Sequence, residues 1–236
     1  MNPTEYRAQV EAELKKAQAN DAPAGAAQAQ QAQPDWARDV ELLRNTVANP
    51  RDREAALWHL QAGSFLAGQF EPHRPAFIQC LQQAATDPDD GLRRAAFDVL
   101  ANSKDDFARR KLEEGLGDPT KALVAPAVAL GLLARNDHAS AARFARSYLT
   151  GQNDPAIRAQ AARVLASDPD SKSLLAERVR DKDEFREVRR ASAVALHNLD
   201  PDHFRSLAED ILADASDYPE IKATVRGALE RDELPA

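Results

Sequence analysis

A chain of 236 residues that is 43% hydrophobic and 29% charged can bury a sizeable core, which excludes disorder throughout its length. Only 6% of it is aromatic and much of the apolar content is alanine, a composition that suits thin, closely stacked helices. The formal net charge of −7 argues against general nucleic-acid binding, which runs on counterion release at a basic surface, and the lone Cys80 excludes an intramolecular disulfide and fits a reducing compartment.

Residues 3–19 predict one amphipathic helix, with Tyr6, Val10, Leu14 and Ala17 on a single face and charged residues on the others. Residues 20–33, rich in Ala and Gln, hold no large apolar side chain and read as a linker. Residues 1–34 are therefore expected to form a helical arm and tether, ahead of a helical domain over 35–231 and a short tail over 232–236. No apolar run approaches the roughly 18 residues of a membrane span, and the first residues carry acids where a signal peptide needs an apolar segment. A cytoplasmic location is expected, with no membrane partner.

From Trp36 onward helices come in pairs. First helices are expected within 36–47, 75–81, 105–116, 139–149, 171–179 and 201–213. Each is followed by a helix with an eight-residue frame: an anchor, a small residue four on, and an apolar residue eight on. Leu92/Ala96/Leu100 is the clearest case. The frame recurs at Asp52/Ala56/Leu60, Ala125/Ala129/Leu133, Ile157/Ala161/Leu165, Val188/Ser192/Leu196 and Ile221/Val225/Leu229. Anchors lie 40, 33, 32, 31 and 33 residues apart, the period of stacked helical repeats. The residue after the anchor is Arg53, Arg93, Arg158, Arg189 or Lys222, with Pro126 the exception. At Pro126 the helix must start late or kink. Asp-Pro steps at Asp87, Asp118, Asp154 and Asp200 predict capped helix starts. The surplus in the first interval falls in residues 61–75, where Phe65, Leu66 and Phe70 are expected to cover the exposed N-terminal end of the stack; a projecting loop that carries Phe65, Phe70, His73 and Arg74 to a binding surface is the alternative. After Asp200 ten acids face four bases, as suits a solvated terminal unit.

An acid ahead of the helix, an apolar-basic pair, then small and apolar residues resembles the second helix of a HEAT repeat, closest to the short HEAT-like units. Asp87 with Arg93, and Asp183 with Arg189, match the six-residue Asp and Arg spacing of that family over a pattern covering about Trp36 to Glu230. The resemblance implies an all-α fold: a right-handed α-α superhelix, or solenoid, of about six helix pairs. It also implies that Asp87, Arg93, Arg158, Asp183 and Arg189 tie one repeat to the next.

Catalytic patterns are not found. The five histidines share no place in the repeat, no HExxH, CxxC or phosphate loop occurs, and there is no His-Glu dipeptide of the kind used by HEAT-like di-iron enzymes. The segment HNLDPDH, residues 197–203, gathers two histidines and two aspartates, but an Asp-Pro turn explains it without a metal. No cofactor and no catalytic residue is expected. The family also includes DNA glycosylases for alkylated bases and bilin lyases, and the resemblance keeps both as alternatives. The leading expectation is a non-enzymatic module that binds a protein or peptide. Its candidate contacts are Trp58, Phe65, Phe70, His73 and Arg74 near the first repeats, with Arg94 and Arg190 on the inner surface.

Overall fold

Proline and short polar caps set where the helices begin. The structure, a computed structural model, describes residues 35–232, so the expected arm over 1–34 and most of the tail lie outside the described residues. Within them the chain is α-helical and contains no strand. The helices are α1 Trp36–Arg44, α2 Pro50–Gly63, α3 Ala67–Phe70, α4 Arg74–Ala84, α5 Asp90–Asn102, α6 Asp106–Gly117 and α7 Pro126–Asn136. They continue as α8 His138–Thr150, α9 Pro155–Val164, α10 Lys172–Arg180, α11 Arg186–Leu199, α12 Pro201–Ala213 and α13 Pro219–Asp232. Pro50, Pro126, Pro155, Pro201 and Pro219 each open a helix, where the missing N–H costs no bond. Carboxylates of Asp89, Asp105, Asp137, Asp154 and Asp200 accept from amides of the first turns of α5, α6, α8, α9 and α12. Asp118 caps only a short 3₁₀ turn, and Asp87 caps no helix; its place as a cap is taken by Asp89.

Residues 37–232 belong to one compact unit, in which the helices form six pairs: α1/α2, α4/α5, α6/α7, α8/α9, α10/α11 and α12/α13. The second helices make one row, in which α2 packs on α5, α5 on α7, α7 on α9, α9 on α11 and α11 on α13. First helices from α4 to α12 each pack on their own second helix and touch each other less, at α6 with α8 and α10 with α12. The eight-residue frame explains why the second helices approach so closely. Its middle residues, Ala56, Ala96, Ala129, Ala161, Ser192 and Val225, are all buried, and so are Leu60, Leu100, Leu133, Leu165 and Leu196. No helix among the described residues is long and apolar enough to cross a membrane.

Two irregular places resolve cleanly. Pro126 starts α7 late and does not kink it, which leaves Ala125 exposed as the residue before the helix and carries residues 122–125, outside any helix, past α6. That crossing needs Gly115, because a Cβ there would lie 2.9 Å from the Cα of Ala122. The surplus at 61–75 is not a projecting loop. It folds into α3 and a 3₁₀ turn, Glu71–His73, and buries Phe70 completely against Phe77, ring edge to face at 5.7 Å.

The close crossing predicts that Gly115→Ala lowers the stability of the folded chain by about 1–3 kcal/mol through overpacking. Gly68→Ala, where no atom lies within 4 Å of the added Cβ, is the control and leaves the urea midpoint unchanged or slightly raised.

Candidate functional site

On α2, α9 and α11 the arginine after the anchor turns inward. Arg53 donates from Nε to the Leu43 carbonyl in the last turn of α1, at 3.1 Å, and from Nη1 to the Asp87 carboxylate ahead of α5, at 2.7 Å. Arg189 repeats the arrangement, with Nε on the Val179 carbonyl of α10 at 2.9 Å and a two-pronged contact to Asp217 at 2.8 and 2.7 Å. Arg158 reaches the Leu149 carbonyl of α8 at 3.2 Å and the Glu184 carboxylate. Each guanidinium thus sits on the negative end of its own first helix and grips the loop in front of the next second helix. Arg53 is 3% exposed and Arg189 fully buried, so neither is free for a ligand.

Asp87 with Arg93, and Asp183 with Arg189, are not ion pairs among the described residues, and the carboxylates that meet these arginines come from elsewhere. The Asp87 carboxylate belongs to Arg53, 34 residues earlier. Arg93 takes the main-chain carbonyls of Asp87, Pro88 and Leu123 and pairs with Asp90 at 2.7 Å. Asp183 is exposed, and the anion on Arg189 is Asp217, 28 residues later. The partners are set by stacking: the acid lies four or five residues ahead of the next anchor, a place filled by Asp87, Glu184 and Asp217.

The opposite face of the second-helix row carries a different series. Residues two, six and ten after the anchor, a helical stripe, include Glu54 and Trp58 on α2, Arg94 and Asp98 on α5, Gly131 and Arg135 on α7, Arg163 on α9, and Arg190 and Val194 on α11. Two clefts open along it. The first, about 450 Å³, lies among α5, α7 and α9, with Val128, Gly131 and Leu132 between Arg94 and Arg135. Both arginines there meet carboxylates: Arg94 meets Asp90 at 3.2 Å, and Arg135 meets Asp98 at 2.6 Å. A second cleft of about 360 Å³ lies among α9, α11 and α13, floored by Ala191, Val194 and Ala195. Its two arginines bond only neutral groups among the described residues: Arg163 meets Gln160 at 3.3 Å and Arg190 meets Thr224 Oγ1 at 3.0 Å. Arg135 and Arg163 were not among the sequence candidates, although the stripe offset by two from the anchor contains both.

The first-repeat candidates separate. Trp58 is 44% exposed on the open face, with Nε1 at 3.5 Å from Glu54, and Phe65 is 78% exposed beside exposed Leu66. Phe70 is core, which corrects its reading as a surface contact. Arg74 lies over the Phe70 ring at 5.9 Å and bonds Glu71 and the Ser64 carbonyl, at 2.9 and 3.3 Å, so it braces the inserted segment. The half-buried His73 ring lies 6.2 Å from that of Phe70.

The remaining chemistry-bearing groups have structural roles. His197 is buried edge-on against Phe204 at 5.1 Å. Asp200 pairs with Lys172 at 3.0 Å and caps α12, and the Lys172 ammonium, with the His203 amide, holds its carboxyl below the usual range. No group of three or more His, Cys, Asp or Glu side chains among the described residues is placed to hold a metal. Burial pushes the Cys80 thiol up, against the thiolate a nucleophile needs.

The buried clamp makes two predictions. Asp217→Ala strands the Arg189 charge and costs roughly 3–5 kcal/mol in urea denaturation, whereas Arg189→Met with Asp217→Leu costs clearly less. The Arg189 guanidinium also holds the Asp217 carboxyl below its ordinary value, against the opposing effect of burial. A depressed folded pKa gives stability that is fully present above the unfolded value of about 3.9 and is lost as the pH falls toward the folded one. Between about pH 5 and pH 3 the urea midpoint therefore falls more steeply in the native chain than in Asp217→Asn. No family model and no curated protein sequence matches this chain.

Proposed function

We propose that the protein is a HEAT-like α-solenoid acting as a non-enzymatic cytoplasmic binding module, in which the open face of the second-helix row docks a protein or peptide. The stepwise packing of α2, α5, α7, α9, α11 and α13 supports the solenoid, since each unit leaves an apolar stripe that only its neighbour covers. One observation carries the function: the arginines after the anchors are consumed inside, while a second set lines clefts with apolar floors on the open face. Apolar floors bordered by guanidinium groups match the make-up of protein-binding hot spots.

The test uses the full chain, tagged and immobilised, beside a face variant carrying Arg94→Ala, Arg163→Ala and Val194→Asp. A partner retained by the native chain and lost from the equally folded variant supports the reading. Equal recovery by both would place docking elsewhere, with the exposed Phe65 and Leu66 as the next surface to change.

A further inference from the structure

The two clefts differ in one respect that selects a ligand. In the cleft among α5, α7 and α9 the guanidinium groups of Arg94 and Arg135 already meet carboxylates. Among the described residues those of Arg163 and Arg190 meet a side-chain amide and a hydroxyl and no carboxylate. Charge-assisted pairs of arginine with carboxylate are stronger than its bonds to neutral acceptors, so an incoming anion can displace Gln160 and Thr224 at little cost. Arg163 lines the cleft from α9 and Arg190 from α11, whose outward stripe runs along the cleft from Glu187 to Asn198. That stripe spans about 16 Å at 1.5 Å per residue and has Ala191, Val194 and Ala195 at its centre.

We propose that this cleft receives a short acidic segment of a partner protein, with Asp or Glu side chains on Arg163 and Arg190 and an apolar side chain between them on the Ala-Val-Ala floor. This rests on the reading of the open face as a docking surface and adds the chemistry of what docks. The cleft volume of about 360 Å³ admits a few side chains and not a whole helix, so one face of the segment enters it. Glu187, one helical turn before Arg190 on α11, lines the same cleft and opposes a continuous polyanion more than a single carboxylate. A nucleic-acid backbone, with one charge about every 1.7 Å along a duplex, would bring phosphate against it, whereas isolated carboxylates can be spaced to avoid it. Elsewhere the −7 chain repels acidic partners, so the local cation pair also fixes where such a segment lands.

Fluorescence anisotropy of the full chain against three labelled peptides of one length tests this: an acidic peptide with Glu flanking Leu, the same peptide with Lys for Glu, and the same with Ser for Leu. The acidic peptide is expected to bind best, more weakly as salt rises, with the Ser version weaker. Arg163→Gln and Arg190→Gln each weaken it by about tenfold with an unchanged circular dichroism melt. The double reversal Arg163→Glu with Arg190→Glu transfers preference to the Lys peptide. Binding of the acidic peptide that survives both Gln variants but fails in Arg94→Gln overturns this cleft while leaving the docking face intact. Preference of the native chain for the Lys peptide overturns the acidic assignment. No peptide binding together with a salt-sensitive shift of duplex DNA overturns both this proposal and the docking reading.

Discussion

The structure depends on a cation that each of three second helices turns inward from its first turn, buried at Arg53 and Arg189 and largely covered at Arg158. Arg53, Arg158 and Arg189 join three elements at once: their own helix, the carboxyl end of the preceding first helix, and the loop that opens the following pair. A guanidinium suits this task because its fork supplies several donors in fixed directions, one for a carbonyl and others for a carboxylate. Burying such a charge is costly unless it is fully partnered, so the contact adds less net stability than positional definition. Small residues let the second helices approach, and the arginine fixes which loop lies against which helix.

That division of labour explains what could be read in advance. Period and frame were legible because they arise from burial, and burial leaves an apolar and small-residue pattern that stacking cannot hide. Asp52 fits this account as well: it heads the polar version of the frame and is exposed. The partners of the arginines were not legible. Asp87 and Arg93 stand six residues apart along the chain, but the Asp87 carboxylate goes to Arg53 of the preceding pair. Glu184 fills the place that Asp87 and Asp217 fill in the other pairs, and nothing in the residue identities marks the three as equivalent.

The surface was harder still. Phe65 and Phe70 are equally apolar in the same segment, and only the short α3 decides that one is buried and the other exposed. The open face became visible once the frame was shifted by two residues, which carries the same helical period to the opposite side. Arg94 and Arg190 had been found there, but Arg135 and Arg163 had not, because they sit ten and six residues after their anchors rather than two.

Pro126 removes the buried cation at one step of the row. Between the third and fourth pairs no arginine–carboxylate pair is present among the described residues, and the side-chain ties lie instead on the first helices. There Tyr148 donates to the Leu116 carbonyl at 3.0 Å, and Ser140 donates to Glu113. A pivot on those two hydroxyls would let α7 and α9 part without stripping a buried charge of its counterion, which no clamped joint allows. The recess beside Gly131 and Gln160 lies at this joint, where the approach of α9 to α7 rests on small side chains and not on a buried ion pair.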